Sequence, residues 1–140
     1  MEILPVRRLV SDAVLPTRAH HDDAGLDLYC VEGVDLAPGQ GTLVKTGIAA
    51  AVPKGHVGLI CDRSSLAKRG LKTAGGVIDA GYRGELGILL WNISGETQSL
   101  KKHERLAQLL IVPVTTPAVR ETEALDETHR GAGGFGSTGK

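Results

Sequence analysis

Chain breakers recur along this sequence at such short intervals that no regular element has room to grow long. Pro16, Pro38-Gly39, Pro53-Lys54-Gly55, Ser94-Gly95 and the stretch from Pro113 to Pro117 divide its apolar runs. Eight short strands are expected between them, over residues 3–9, 26–30, 42–52, 56–62, 85–93, 97–100, 105–114 and 118–121. That number and spacing predict a sandwich, barrel or jelly roll. Glycine supplies 19 of 140 residues, about twice the usual ~7%. With 6 prolines the total still falls short of low complexity, so the glycines read as turns in a folded domain. The length fits one domain with a core that needs no disulfides.

Residues 86–91, Leu-Gly-Ile-Leu-Leu-Trp, are apolar on both alternating faces. Such a strand is buried on both sides, or one side meets a partner subunit. Trp91 is expected in the core. One short helix is expected at Arg63-Ser64-Ser65-Leu66-Ala67-Lys68-Arg69-Gly70, with serines as the N-cap, basic residues in the last turn and Gly70 as the stop. Residues 1–125 then form the β domain. Residues 126–140 form a glycine-rich tail, with Phe135 its one large apolar residue, too poor in such residues to order by itself.

Lysine plus arginine and aspartate plus glutamate both number 16, for a net charge of zero. A general nucleic-acid or anionic-membrane binder carries a basic excess. The aromatics are Tyr29, Tyr82, Trp91 and Phe135, too few for a base-stacking platform. Cys30 and Cys61 read as buried reduced thiols, and no Cys/His cluster has zinc-ligand spacing. The five histidines read as surface residues. No signal-peptide pattern opens the chain and no apolar run reaches a membrane span, so a soluble, cytoplasmic protein is expected.

Several segments carry chemistry. Arg63-Ser64-Ser65 at a helix start offers N–H groups, two hydroxyls and a guanidinium to a phosphate, although a serine N-cap alone is commonplace. Gly76 to Glu85 reads as a hairpin in which Asp79 ends an apolar stretch, either as a general base or as a turn cap. Asp27 is odd between two leucines. It faces solvent on the polar side of a strand or holds a metal-bound water. In the tail, Arg130, Phe135, Ser137 and Thr138 stand among glycines and suit a flap over a polyphosphate, though a frayed end is the plainer alternative. Gly134 to Lys140 matches the opening of a P-loop pattern, but its Ser/Thr and following helix are missing.

Five segments in order resemble the motifs of the homotrimeric dUTP pyrophosphatases, the dUTPases. They are Asp23 to Leu28, Arg63 to Ala67, Gly76 to Gly84, Glu104 to Leu109 and Arg130 to Gly139. The resemblance covers nearly the whole chain. It implies a jelly-roll-like β-clip with three active sites at subunit contacts. It implies Mg²⁺-dependent hydrolysis of dUTP to dUMP and pyrophosphate, limiting uracil in DNA and supplying dUMP for thymidylate synthesis. Asp79 would deprotonate the water that attacks the α-phosphorus. Arg63, Ser64, Ser65 and Gln108 would hold the phosphates, and Asp27 would act near Mg²⁺ through water. Tyr82 would lie under the deoxyribose. Backbone groups around Gly76, Val77, Ile78 and Gly87 would read uracil, with Thr73 a neighbour. From the tail, Phe135 would stack on the base, and Arg130, Gly136, Ser137 and Thr138 would reach the substrate.

Two departures stand out. His103-Glu104-Arg105 replaces the family's common Gly-Asp-Arg, so a slightly different turn is expected. Asp62 precedes Arg63 where a small residue or proline is frequent, and a carboxylate there is expected to weaken phosphate binding mildly. The alternative function is a non-catalytic nucleotide-binding jelly-roll module. The homologous dCTP deaminases fit less well, because Leu89 stands where their catalytic glutamate is expected.

Overall fold

The computed structural model describes residues 3–136 and residue 139. Its described elements are nearly all strand: β1 (Val6–Arg8), β2 (Leu26–Tyr29), β3 (Val34–Leu36), β4 (Gly41–Lys45), β5 (Ile48–Ala50), β6 (His56–Cys61), β7 (Leu71–Ala74), β8 (Val77–Ile78), β9 (Gly87–Asn92), β10 (Gln98–Leu100) and β11 (Arg105–Pro113). One helix, α1 (Ser64–Lys68), sits between β6 and β7. The strands pair antiparallel in the orders β2-β11-β6-β8, β4-β9-β7, β1-β5 and β10-β3. The expected jelly-roll-like all-β class, with one short helix, is what the chain adopts.

Alternation builds the core. In β9, Ile88, Leu90 and Asn92 point inward while Leu89 and Trp91 point out. In β2, Leu26 and Leu28 are buried and Asp27 and Tyr29 face the other way. Leu28, Leu36, Ile48, Leu71, Leu86, Ile88, Leu90, Leu106 and Leu109 are fully buried. Each such side chain contributes about 1.5–3 kcal/mol of transfer free energy. Buried polar groups are paired. Asn92 donates to the carbonyls of Leu36 and Glu96 at 2.9 and 2.8 Å and accepts from the Ser94 amide at 2.9 Å. Cys30 is buried and its thiol donates to the Lys101 carbonyl at 3.0 Å; burial pushes that thiol up from its ordinary value.

The structure corrects several sequence expectations. The single strand expected over 42–52 breaks at Thr46-Gly47 into β4 and β5. Gly47 takes φ +70°, and the Thr46 hydroxyl turns inward to the Leu86 carbonyl at 2.6 Å. The strands β3, β7 and β8 are too short for their sequence signal, and residues 118–121 form no strand. Residues 76–85 are not a self-paired hairpin. β8 pairs with β6, whereas β9 pairs with β4 and β7, so the arms enter different sheets. The helix N-cap is Arg63, with no side-chain cap bond, and the serines are its first helical residues. Trp91 is 42% exposed rather than core, because β4 and β7 flank β9 edge to edge and, among the described residues, nothing fully covers its outer face. Cys61 and His56 are half-buried; the remaining histidines are exposed.

The turn before β11 keeps a geometry suited to glycine. His103 adopts φ 65°, and its amide donates to the Cys30 carbonyl at 2.8 Å. A side chain in the left-handed region costs about 1–2 kcal/mol. His103→Gly should therefore raise the thermal unfolding midpoint, and an unchanged or lower midpoint would show that the imidazole repays its strain.

Candidate active site

The register of β11 brings one group of the predicted site residues together. Gln108 pairs with Asp27 on β2 and with Cys61 on β6, so side chains from three strands share one face. Asp27 thereby does not stand free in solvent, one of the two roles first open to it. It is largely buried and ion-paired: Arg63 Nε lies 2.8 Å from Oδ1 and Arg105 Nε 3.5 Å from Oδ2. A carboxylate gripped this way turns the Arg63 guanidinium toward the start of α1, where its Nη1 reaches Ser65 Oγ at 3.5 Å. Ser64 and Ser65 are exposed in that first turn.

Gln108 is fixed by its own amide, which donates to the Asp62 carbonyl at 2.8 Å. It needs the space that Gly25 leaves, since a Cβ at Gly25 would stand 2.0 Å from Gln108 Oε1. Thr73 on β7 donates through both its amide and its hydroxyl to Asp62 Oδ1, each at 2.6 Å. Lys72 Nζ lies 2.8 Å from Asp62 Oδ2. Beside this cluster an open cleft of about 500 Å³ is lined by Tyr29, Arg63, Ser65, Arg69, His103 and Arg105.

The remaining predicted residues lie apart. Asp79 is exposed just after β8, and its carbonyl accepts from the Tyr82 amide at 3.0 Å. The Tyr82 hydroxyl donates to the Glu85 carbonyl at 2.9 Å, which folds the phenol over the 79–86 loop. Gly87 opens β9 opposite Lys45. Gly76 accepts from the Ile60 amide at 2.8 Å, and Val77 and Ile78 pair with Leu59 and Gly58. β8 thus runs back along β6, so Asp79 falls beside the start of that strand while Asp62 and Arg63 leave its end. At ~3.3 Å per residue the two groups are about 15–20 Å apart within one chain. In the tail, Arg130 Nε donates to the Gly133 carbonyl at 2.9 Å, and Phe135 and Gly136 are exposed. Ser137 and Thr138 lie outside the described residues.

Three participants escaped the sequence reading: Arg105, Gly25 and the structural use of Asp62. The pairing of Asp27 with Gln108 would have pointed to Gly25, two residues before Asp27, and Arg105, three before Gln108. Among the described residues no group of three or more His, Cys, Asp or Glu converges. A metal held here would need donors from its ligand. Asp27, with both oxygens already facing guanidinium groups, suits contact through water better than direct coordination.

Burial alone would raise Asp62, but the hydrogen bonds from Lys72 and Thr73 outweigh it and hold the carboxyl below its usual range. The stability that this ionised group adds is complete above about pH 4 and is lost as pH falls through its lower folded value. Asp62→Asn should therefore lower the unfolding midpoint near neutral pH, with the gap to the unaltered protein closing in acid. A gap independent of pH would rule out the ionised pair.

Comparison with known proteins identifies the family. The dUTPase family model matches residues 11–139. The chain is 51% identical to the deoxyuridine 5′-triphosphate nucleotidohydrolase of Nocardia farcinica, over 97% of this chain and 85% of that one. It superposes on the dUTPase of Staphylococcus bacteriophage 80alpha, solved with dUPNHPP, with a TM-score of 0.94 at 33% identity and full coverage of both chains. A dUTPase variant from phage phi11 of S. aureus, whose structure details the coordination of a structural Mg(II) ion, superposes with a TM-score of 0.82 at 34% identity, covering 88% of this chain and 98% of that one. With the family model spanning residues 11–139 and a relative 51% identical over 97% of this chain, the chain belongs to the dUTPase family.

Proposed function

We propose that this chain hydrolyses dUTP to dUMP and pyrophosphate by attack of water on the α-phosphorus, in a homotrimer whose active sites are shared between copies. Membership of the dUTPase family gives the reaction. The observation that carries the shared site is the separation of its two halves. Arg63, Ser64, Ser65 and Gln108 stand at one end of β6, and Asp79 and Tyr82 stand beside the other. One copy supplies the cradle and another supplies the loop. The uncovered apolar face of Leu43, Leu89 and Trp91 across β4 and β9 supports contact between copies.

Each residue then has a physical task. The triphosphate meets Arg63, the serine hydroxyls and the Gln108 amide, and positive charge offsets the charge that builds up during transfer. Asp79, exposed on a glycine-rich loop, accepts a proton from the attacking water. β8 is the edge strand of its sheet, so alternate backbone groups of Gly76, Val77 and Ile78 point away from β6, free to read the uracil edge, with Gly87 nearby. A fixed donor–acceptor pattern penalises cytosine. Tyr82 packs under the deoxyribose and leaves no room for a 2′-hydroxyl. Thr73 supports the site through Asp62. The β domain spans residues 1–125. The tail, 126–140, closes over the ligand, with Phe135 stacking on the base and Arg130, Gly136, Ser137 and Thr138 reaching the substrate.

Mg²⁺ would be held mainly by the triphosphate and would supply further charge neutralisation there, and Asp27 would contact it through water. We place the enzyme in the cytoplasm on the family resemblance.

Pyrophosphate release measured side by side from dUTP, dCTP, dTTP and UTP with Mg²⁺ should be rapid from dUTP alone. Bound dUTP without release would favour a nucleotide-binding module instead. Asp79→Asn should bind dUTP yet lose at least about 10²-fold in kcat, and retained turnover would remove Asp79 as the base. Truncation before Arg130 should leave the unfolding midpoint in place and lower kcat/KM by about 10²-fold. An unchanged rate would make the tail a bystander.

A further inference from the structure

We infer that Asp62 is a positioning residue for the phosphate cradle, acting through Arg63 and Gln108. The inference rests on the dUTP-hydrolysing reading above and assigns that site a part it did not contain. Asp62 is the last residue before the N-cap of α1, so its backbone sets where Arg63, Ser64 and Ser65 begin. Every strong acceptor it owns is engaged. Its carbonyl takes the Gln108 amide at 2.8 Å, Oδ1 takes both the Thr73 amide and hydroxyl at 2.6 Å, and Oδ2 takes Lys72 at 2.8 Å.

These bonds tie together parts of the protein that no strand pairing connects. Gln108 belongs to the four-stranded sheet containing β6 and β11, and Thr73 and Lys72 belong to the three-stranded sheet of β4, β9 and β7. Asp62 pins the junction of β6 and α1 to both. The side chain spends its charge on β7 rather than on the cradle, and Lys72 balances it. The expected repulsion of phosphate therefore has no free carboxylate behind it. The carboxylate acts instead as a brace, and a group so braced holds its geometry before the ligand arrives.

Without the brace, the start of α1 shifts relative to Gln108. Gln108 and the serine hydroxyls hold the phosphates in the ground and transition states alike, and the Arg63 guanidinium keeps its separate anchor on Asp27, so the loss falls on KM rather than on kcat. Steady-state kinetics of pyrophosphate release from dUTP with Mg²⁺ tests this on the full-length protein. Asp62→Ala should raise KM about tenfold with kcat within about threefold. Asp62→Asn, whose carbonyl oxygen still accepts both bonds from Thr73, should recover most of that loss. Adding Thr73→Val to Asp62→Ala should raise KM no further, since the two residues act through one contact. If Asp62→Ala fails to fold, Asp62→Ser, too short to reach Thr73, carries the same expectation.

An unchanged KM in the alanine and serine variants overturns the inference. So does a fall in kcat shared equally by the alanine and asparagine variants. An unaltered protein that releases no pyrophosphate from dUTP overturns the underlying reading instead, and the two failures are thereby distinct.

Discussion

The pairing of one strand with two neighbours is the constraint on which the site depends. β11 lies between β2 and β6, and its Gln108 stands level with Asp27 on one side and Cys61 on the other. Side chains in strands alternate faces, so a slip of one residue on either side would turn Asp27 or Gln108 into the core. The core forbids that slip, because Leu26, Leu28, Leu106 and Leu109 are buried on the opposite face. The same apolar packing that stabilises the domain therefore sets the placement of the polar groups.

Two carboxylates face three cations around the cradle before any ligand arrives. Asp27 holds Arg63 and faces Arg105, and Asp62 holds Lys72. These carboxylates orient cations rather than cancel them, since each guanidinium retains further donors for a phosphate. The Asp27–Arg63 pair is partly buried on both sides, where removing one partner costs more than the pair itself contributes. Asp27 between two leucines is therefore explained by its partners across the sheet.

Much of this was legible in the chain. The recurrent breakers implied short strands and an all-β domain. Order and spacing of five motif segments gave the family. What escaped had physical causes. The strands β7 and β8 have only 4 and 2 residues, too few to show a period, and they form because β9 and β6 offer them partners. Trp91 looked like core because its hydrophobicity says nothing about whether another surface covers it. His103 sits in a backbone conformation that its side chain disfavours, held by the Cys30 carbonyl 73 residues away in sequence.

The sequence by itself determined the class of fold, many of its chain breaks and the family its motifs belong to, because breakers and side-chain types are local properties. Tertiary structure alone decided which of those residues meet. It joined Asp27 to Arg63 across 36 residues and Asp62 to Gln108 across 46, and it kept Asp79 at the far end of β6 from Arg63. Those outcomes follow from strand register and sheet order, which are set by the joint burial of side chains from distant segments and cannot be read from any one of them.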